Sequence, residues 1–309
     1  MKIKSYKTEK LITNVCVRSK GNNIGKIDVQ DPRIKQISLL EVDFQNPNNH
    51  MVFELQDISC IATESFTATF LTPNNISILL YVYRNELKKY RLTLKKHVLK
   101  NDLGMNYEKE NKLAFTSKMI YEMIQYAETA IIFGYTALEA FANSCIPDTY
   151  VYEFTNNKGI VEKYDLKAIE RWLSLSDKLK NVLGDIFDDT GLANNSFWSD
   201  FKDLENIRNS IVHLKKEEDD FFHIFFEEST IRKIESIELI IKYFVDIRGN
   251  HYIPLSDFNG KIVFSKTTIP ANEVKNMEVN FLSEIDTGKT KRLIDLLDEF
   301  DSDDLEGSL

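Results

Sequence analysis

Arg208 and His213 set a permanent cation and a titratable imidazole five residues apart, with Asn209 beside the arginine. A guanidinium can hold two phosphate oxygens at once, and an imidazole can move a proton near neutral pH. Together these residue types suit attack on a phosphodiester without a metal ion. On a helix, Phe197, Phe201, Leu204 and Ile211 make an apolar stripe that includes Arg208. An unpaired guanidinium on such a face would cost several kcal/mol, so it is expected to meet a carboxylate or line a wet cleft. His213 falls about 140° further round. One straight helix therefore cannot aim both groups at one phosphate without help from the helix end or a second chain.

The elements that must position these groups are mainly helical over residues 112–248. Phe115, Met119, Met123, Ala127, Ala130, Gly134, Ala137 and Phe141 recur at spacings of three and four, which predicts one buried helical stripe ended by Pro147. A linker through Asn156-Asn157-Lys158-Gly159 leads to a helix over Leu166 to Leu173, and Ser176 is expected to cap another reaching about Phe187. Turn formers fill Asp188 to Asn195. The motif helix is predicted over about Phe197 to Lys215 and a last long helix over about Ile231 to Ile247. Connections this short predict a compact bundle.

Before that region the pattern is one of strands. Val15 to Arg18, Ile37 to Phe44, Met51 to Ile61, Phe66 to Leu71 and Ile76 to Tyr83 are rich in β-branched and aromatic residues. Gly21-Asn22-Asn23, Asn46-Pro47-Asn48-Asn49 and Thr72-Pro73-Asn74-Asn75 supply the turns. The expected fold is α+β: an antiparallel β domain over 1–102, a helical domain over 112–248, and a mixed extension over 249–309. In that extension Lys261 to Ser265 and Val279 to Leu282 could return to the sheet, and Thr290 to Phe300 could form a short helix before an acidic tail.

Charge divides the chain unevenly. Residues 1–102 hold 16 Lys and Arg against 10 Asp and Glu, a net of +6, which leaves 23 against 38, a net of -15, for the remainder. Lys88, Lys89, Arg91, Lys95 and Lys96 crowd one segment, which reads either as a solvated positive face or as an RNA-contacting surface. The 43% hydrophobic content predicts a folded chain. No apolar run reaches the roughly 20 residues of a membrane span, and the N-terminus carries no export signal. Three scattered cysteines, Cys16, Cys60 and Cys145, suit a reducing compartment, so a cytoplasmic protein is expected.

The run LENIRNSIVHL resembles the signature of the HEPN (higher eukaryotes and prokaryotes nucleotide-binding) superfamily, an arginine followed by a polar residue with a histidine four to six positions on; here these are Arg208, Asn209 and His213. Tyr135 to Asn143 is similar to the first long helix of many bacterial members. The resemblance covers residues 112–248. It implies a helical bundle that pairs as a homodimer, so that two motifs face each other across a cleft, and a metal-independent RNase activity needing no cofactor. Such proteins serve toxin-antitoxin and phage-defence systems, where an antitoxin, sensor or phage-derived partner is expected. By carry-over, Arg208 holds the phosphate, His213 moves a proton, Asn209 orients either, and Glu139 pairs with Arg208 or positions His213; Asn143 is a weaker candidate. The competing class is a non-catalytic protein of the same fold that binds nucleic acid or a partner through its N-terminal domain.

Other chemistries have little support. Arg91 and His97 repeat the spacing, but Leu92 follows the arginine. Thr287-Gly288-Lys289-Thr290 lacks the earlier glycine of a phosphate loop, and no histidines fall at metal-ligand spacing. Phe221-Phe222-His223-Ile224-Phe225-Phe226 reads as packing or as a partner surface, and Trp172 and Trp198 read as core residues.

Overall fold

A computed structural model of the chain describes residues 3–18, 31–43, 50–99, 109–155, 158–213, 221–249, 251–255, 257–258, 261–262, 265–270, 278–281 and 291–292. The fold is α+β and divides into two compact units. One comprises Asn75–Pro254; the other joins Met1–Asn74 to Leu255–Leu309.

In the first unit, α1 (Asn75–Thr93) runs into a π-helical turn over Leu94–Leu99, and α2 (Lys109–Ser144) is the longest element. A hairpin of β5 (Tyr152–Thr155) and β6 (Val161–Tyr164) precedes α3 (Leu166–Trp172) and α4 (Leu175–Asp177). A π turn over Lys178–Val182 leads to α5 (Leu183–Ile186), after which α6 (Ser196–Val212) and α7 (Glu228–Ile247) complete the bundle. The core is built where the apolar periods meet: Met123, Ala127, Ala130, Leu138 and Phe141 of α2 are fully buried, as are Ile234, Ile237, Ile240 and Ile241 of α7.

The expected strand over Ile76 to Tyr83 is instead the first half of α1. Ile76, Leu80, Tyr83, Leu87 and Tyr90 are buried at alternating steps of four and three. Within Ile76 to Tyr83 nearly every residue is apolar, so the period shows only when the run is followed to Tyr90. Two buried hydroxyls fix this helix: Tyr83 donates to the Ile234 carbonyl at 3.1 Å and Tyr90 to that of Phe225 at 2.9 Å. Gly134 lets α2 come close, since a Cβ there would lie 2.6 Å from both Ile237 Cδ1 and Tyr83 Cδ2.

Smaller differences have local causes. The linker expected through Gly159 is the turn of the β5–β6 hairpin, and Gly159 takes φ +75. Ser174, not Ser176, caps α4, accepting from the Asp177 amide at 3.1 Å. Trp172 is 66% exposed, with the Arg171 guanidinium 4.7 Å from its ring, so it is no core residue; Trp198 is half-buried, 5.3 Å from Phe201. Phe221 and Phe225 of the aromatic run pack inward while Phe222 stays exposed.

The second unit is a sheet. β1 (Ile3–Arg18) and β2 (Ser38–Asp43) flank β3 (His50–Thr63) on opposite edges, and β4 (Thr67–Leu71) pairs further along β3, all antiparallel. A two-stranded pair, β7 (Asp257–Phe258) and β8 (Lys261–Ile262), stands apart. β9 (Ser265–Pro270) joins β2 in parallel and β10 (Glu278–Phe281) joins β1 in parallel, with β11 (Lys291–Arg292) beyond it. The C-terminal segment thus returns to the N-terminal sheet. Lys291 and Arg292 are strand where a helix over Thr290 to Phe300 was expected; the rest of that segment, the acidic tail and Thr287 to Thr290 lie outside the described residues.

The unit boundary at Asn74 replaces the expected β domain over 1–102 and moves the basic segment into the helical unit. The sheet unit then carries 15 Lys and Arg against 20 Asp and Glu, and the helical unit 24 against 28. Net charges of -5 and -4 follow, so the expected basic N-terminal domain is not one.

Candidate functional site

Asn195 precedes α6 in an extended conformation, and Phe201, Leu204 and Ile207 bury the inner face of the helix. That centre is displaced from the expected stripe, because Ile207 takes the inner position and leaves Arg208 and Ile211 half-buried at its edge. Arg208 therefore does not sit on the buried face. Its guanidinium lies 4.9 Å from the centre of the Tyr135 ring on α2, and its Nη1 donates to Asn209 Oδ1 at 3.1 Å. Among the described residues it has no carboxylate within ion-pair distance.

The helix ends at Val212, earlier than the expected Lys215. His213 is its C-cap, donating its backbone N–H to the Asn209 carbonyl at 2.9 Å with φ -120 and ψ 49. Departure from helical φ turns the side chain out of helical phase, so the 140° separation expected for a straight helix does not apply. The imidazole is exposed. Arg208, Asn209 and His213 thus share the last turn and cap of one helix.

Glu139 is not paired with Arg208. Its Oε1 lies 3.4 Å from Nζ of Lys178, which is wholly buried and also donates to the Glu170 carbonyl at 2.9 Å. Asn143, one turn on, has its Oδ1 buried without a hydrogen-bond partner.

A second network adjoins Arg208 and was not foreseen. Glu205 accepts on Oε1 from the Tyr135 hydroxyl at 2.9 Å, and on Oε2 from Ser176 Oγ at 2.9 Å and from Lys202 Nζ. Lys202 also donates to Ser176 Oγ at 2.8 Å. Burial pushes the Glu205 carboxyl up, but the bonds from Lys202, Ser176 and Tyr135 outweigh it and hold the group below the ordinary range. Burial, reinforced by Glu205, pushes the Tyr135 hydroxyl upward. The Lys202, Glu205, Arg208 ladder at steps of three was the available sequence signal.

The basic residues of α1 are divided. Lys89 pairs with Glu86 at 2.6 Å and lies 5.3 Å from the Tyr126 ring, while Arg91 pairs with Glu235 and Arg84 with Glu238 at 2.5 Å. Lys88, Lys95 and Lys96 are exposed. Part of the segment is therefore held by carboxylates of α1 and α7, and three cations face outward. Among the described residues no group of three or more His, Cys, Asp and Glu is arranged to hold a metal ion, and no helix is long and apolar enough to cross a membrane.

No protein-family model matches the chain, and neither a curated protein nor a solved structure matches it.

Proposed function

We propose that the chain is a metal-independent endoribonuclease of the HEPN type, acting as a homodimer in the cytoplasm in phage defence or a toxin-antitoxin pair. One observation carries the chemistry: Arg208, a half-buried guanidinium with no carboxylate partner among the described residues, shares a helix end with the exposed imidazole of His213. The biological setting follows from the resemblance alone.

In the proposed reaction Arg208 holds the scissile phosphate through two N–H groups and stabilises the charge that develops on it. Asn209, already bonded to Arg208, sets the plane of the guanidinium. His213 removes the proton of the ribose 2′-hydroxyl. The 2′-oxygen forms a bond to phosphorus as the bond to the 5′-oxygen breaks; that oxygen takes a proton from solvent water, and the imidazolium returns its own proton to the hydroxide so formed. The products are a cyclic 2′,3′-phosphate and a free 5′-hydroxyl. Glu139, tied to Lys178, stands outside this step.

The test is incubation of purified protein with total RNA in EDTA. Cleavage is expected, and Arg208→Ala and His213→Ala should each abolish it while circular dichroism stays unchanged. Cleavage persisting in both variants, or vanishing with EDTA alone, overturns the assignment. Tight RNA binding without cleavage would establish an interaction protein instead.

A further inference from the structure

Glu205 stands three residues before Arg208 on α6, the spacing at which a carboxylate and a guanidinium on one helix ordinarily pair. They do not pair here: three donors already fill three of the carboxylate's roughly four lone-pair sites, and one of the three is a cation. Oε1 receives the Tyr135 hydroxyl from α2; Oε2 receives Ser176 Oγ from α4 and the Lys202 ammonium from the preceding turn. The donors fit one another: Ser176 gives its single hydroxyl proton to Glu205 and accepts from Lys202. Lys202 also neutralises Glu205, so the charge of Arg208 is left uncancelled. Tyr135 serves twice, since the side chain whose hydroxyl occupies Glu205 offers its ring as the seat of the guanidinium. Of the guanidinium's five N–H donors only one is spent among the described residues, on Asn209.

We infer that Lys202, with Ser176 and Tyr135, is a positioning residue that keeps Glu205 off Arg208 and so leaves that guanidinium open to a nucleic-acid phosphate. The inference rests on Arg208 being the phosphate-holding group of the proposed function. Without Lys202 the carboxylate loses its neutralising cation and opens a second lone pair, and Arg208 is the nearest cation left along the helix. The arginine then has an internal anion with which any RNA phosphate must compete.

The probe is a short fluorescein-labelled 2′-O-methyl oligoribonucleotide, which lacks the 2′-hydroxyl and is not cut, so binding is read by anisotropy apart from cleavage. Lys202→Met should weaken binding about fivefold, the strength of a partly buried ion pair acting as competitor. Adding Glu205→Gln should restore binding to within about twofold of the parent, because the competitor is gone. In an Arg208→Ala background Lys202→Met should have no further effect. Unchanged binding in Lys202→Met overturns the inference. So does a double variant as weak as the single one, which would make Lys202 itself a phosphate contact. Lys202→Gln repeats the comparison if the methionine variant melts early. Loss of this pattern with cleavage intact removes the inference alone, whereas the pattern without cleavage by the parent removes the nuclease.

Discussion

The ammonium of Lys178 is wholly buried, 3.4 Å from the Glu139 carboxylate and 2.9 Å from the Glu170 carbonyl. A buried cation left with one neutral acceptor is expensive, whereas a 41% exposed carboxylate that loses its partner falls back on water. Glu139→Ala should therefore destabilise the helical unit by about 3 kcal/mol, because it strands that cation, and Lys178→Met, which keeps most of the volume, by about 1 kcal/mol. Urea unfolding followed by circular dichroism gives both. Equal, negligible effects would show that the pair does not hold α2 to the π turn.

At Gly134, α2 packs tightly against both α1 and α7. An added methyl would press on Ile237 and on the buried ring of Tyr83, which is itself bonded to the Ile234 carbonyl. Gly134→Ala should cost about 1–3 kcal/mol despite the better helix propensity of alanine. A thermal melt that rises on this substitution would contradict the packing described.

Glu205 gives stability a pH dependence of defined sign. Its carboxyl is held below the ordinary value of 4.5, so its contribution is present above that value and is lost as the pH falls through the lower, folded-state one. The stability difference between parent and Glu205→Gln should stay flat above about pH 5 and close on acidification below about pH 4. Denaturant titrations across that range measure it, and a difference that widened on acidification would contradict the network.

The proposed pairing of subunits predicts complementation. If each cleft takes Arg208 from one protomer and His213 from the other, mixing Arg208→Ala with His213→Ala gives heterodimers with one intact site. After unfolding and refolding together, the mixture should regain about a quarter of the parental RNase rate, against background for each variant alone. No recovery would place both groups of a site on one chain.

How much of this was legible beforehand varies with the element. The buried stripe of α2 repeats over many turns, and no other element accounts for it. Ile76 to Tyr83 carries apolar residues at almost every position, so strand and helix looked alike there, and the misreading carried the basic segment into the wrong unit. At the site, Arg208, Asn209 and His213 fall within six consecutive residues and could be named from residue type. Tyr135 and Ser176 come from two distant segments that folding alone brings to Glu205, whereas Lys202 stands one turn before it on the same helix. The helix end at Val212 was missed because nothing between Val212 and Lys215 is a helix breaker.

β9 and β10 complete the edges of β2 and β1, yet the whole helical unit lies between them in the chain. On the ribosome the early strands must wait for the entire bundle to be made before Ser265–Pro270 and Glu278–Phe281 emerge. At elongation rates of about 5–20 residues per second that interval is on the order of ten seconds or more. Throughout it two strand borders stand unpaired, which makes the nascent sheet, rather than the bundle, the part most in need of a chaperone.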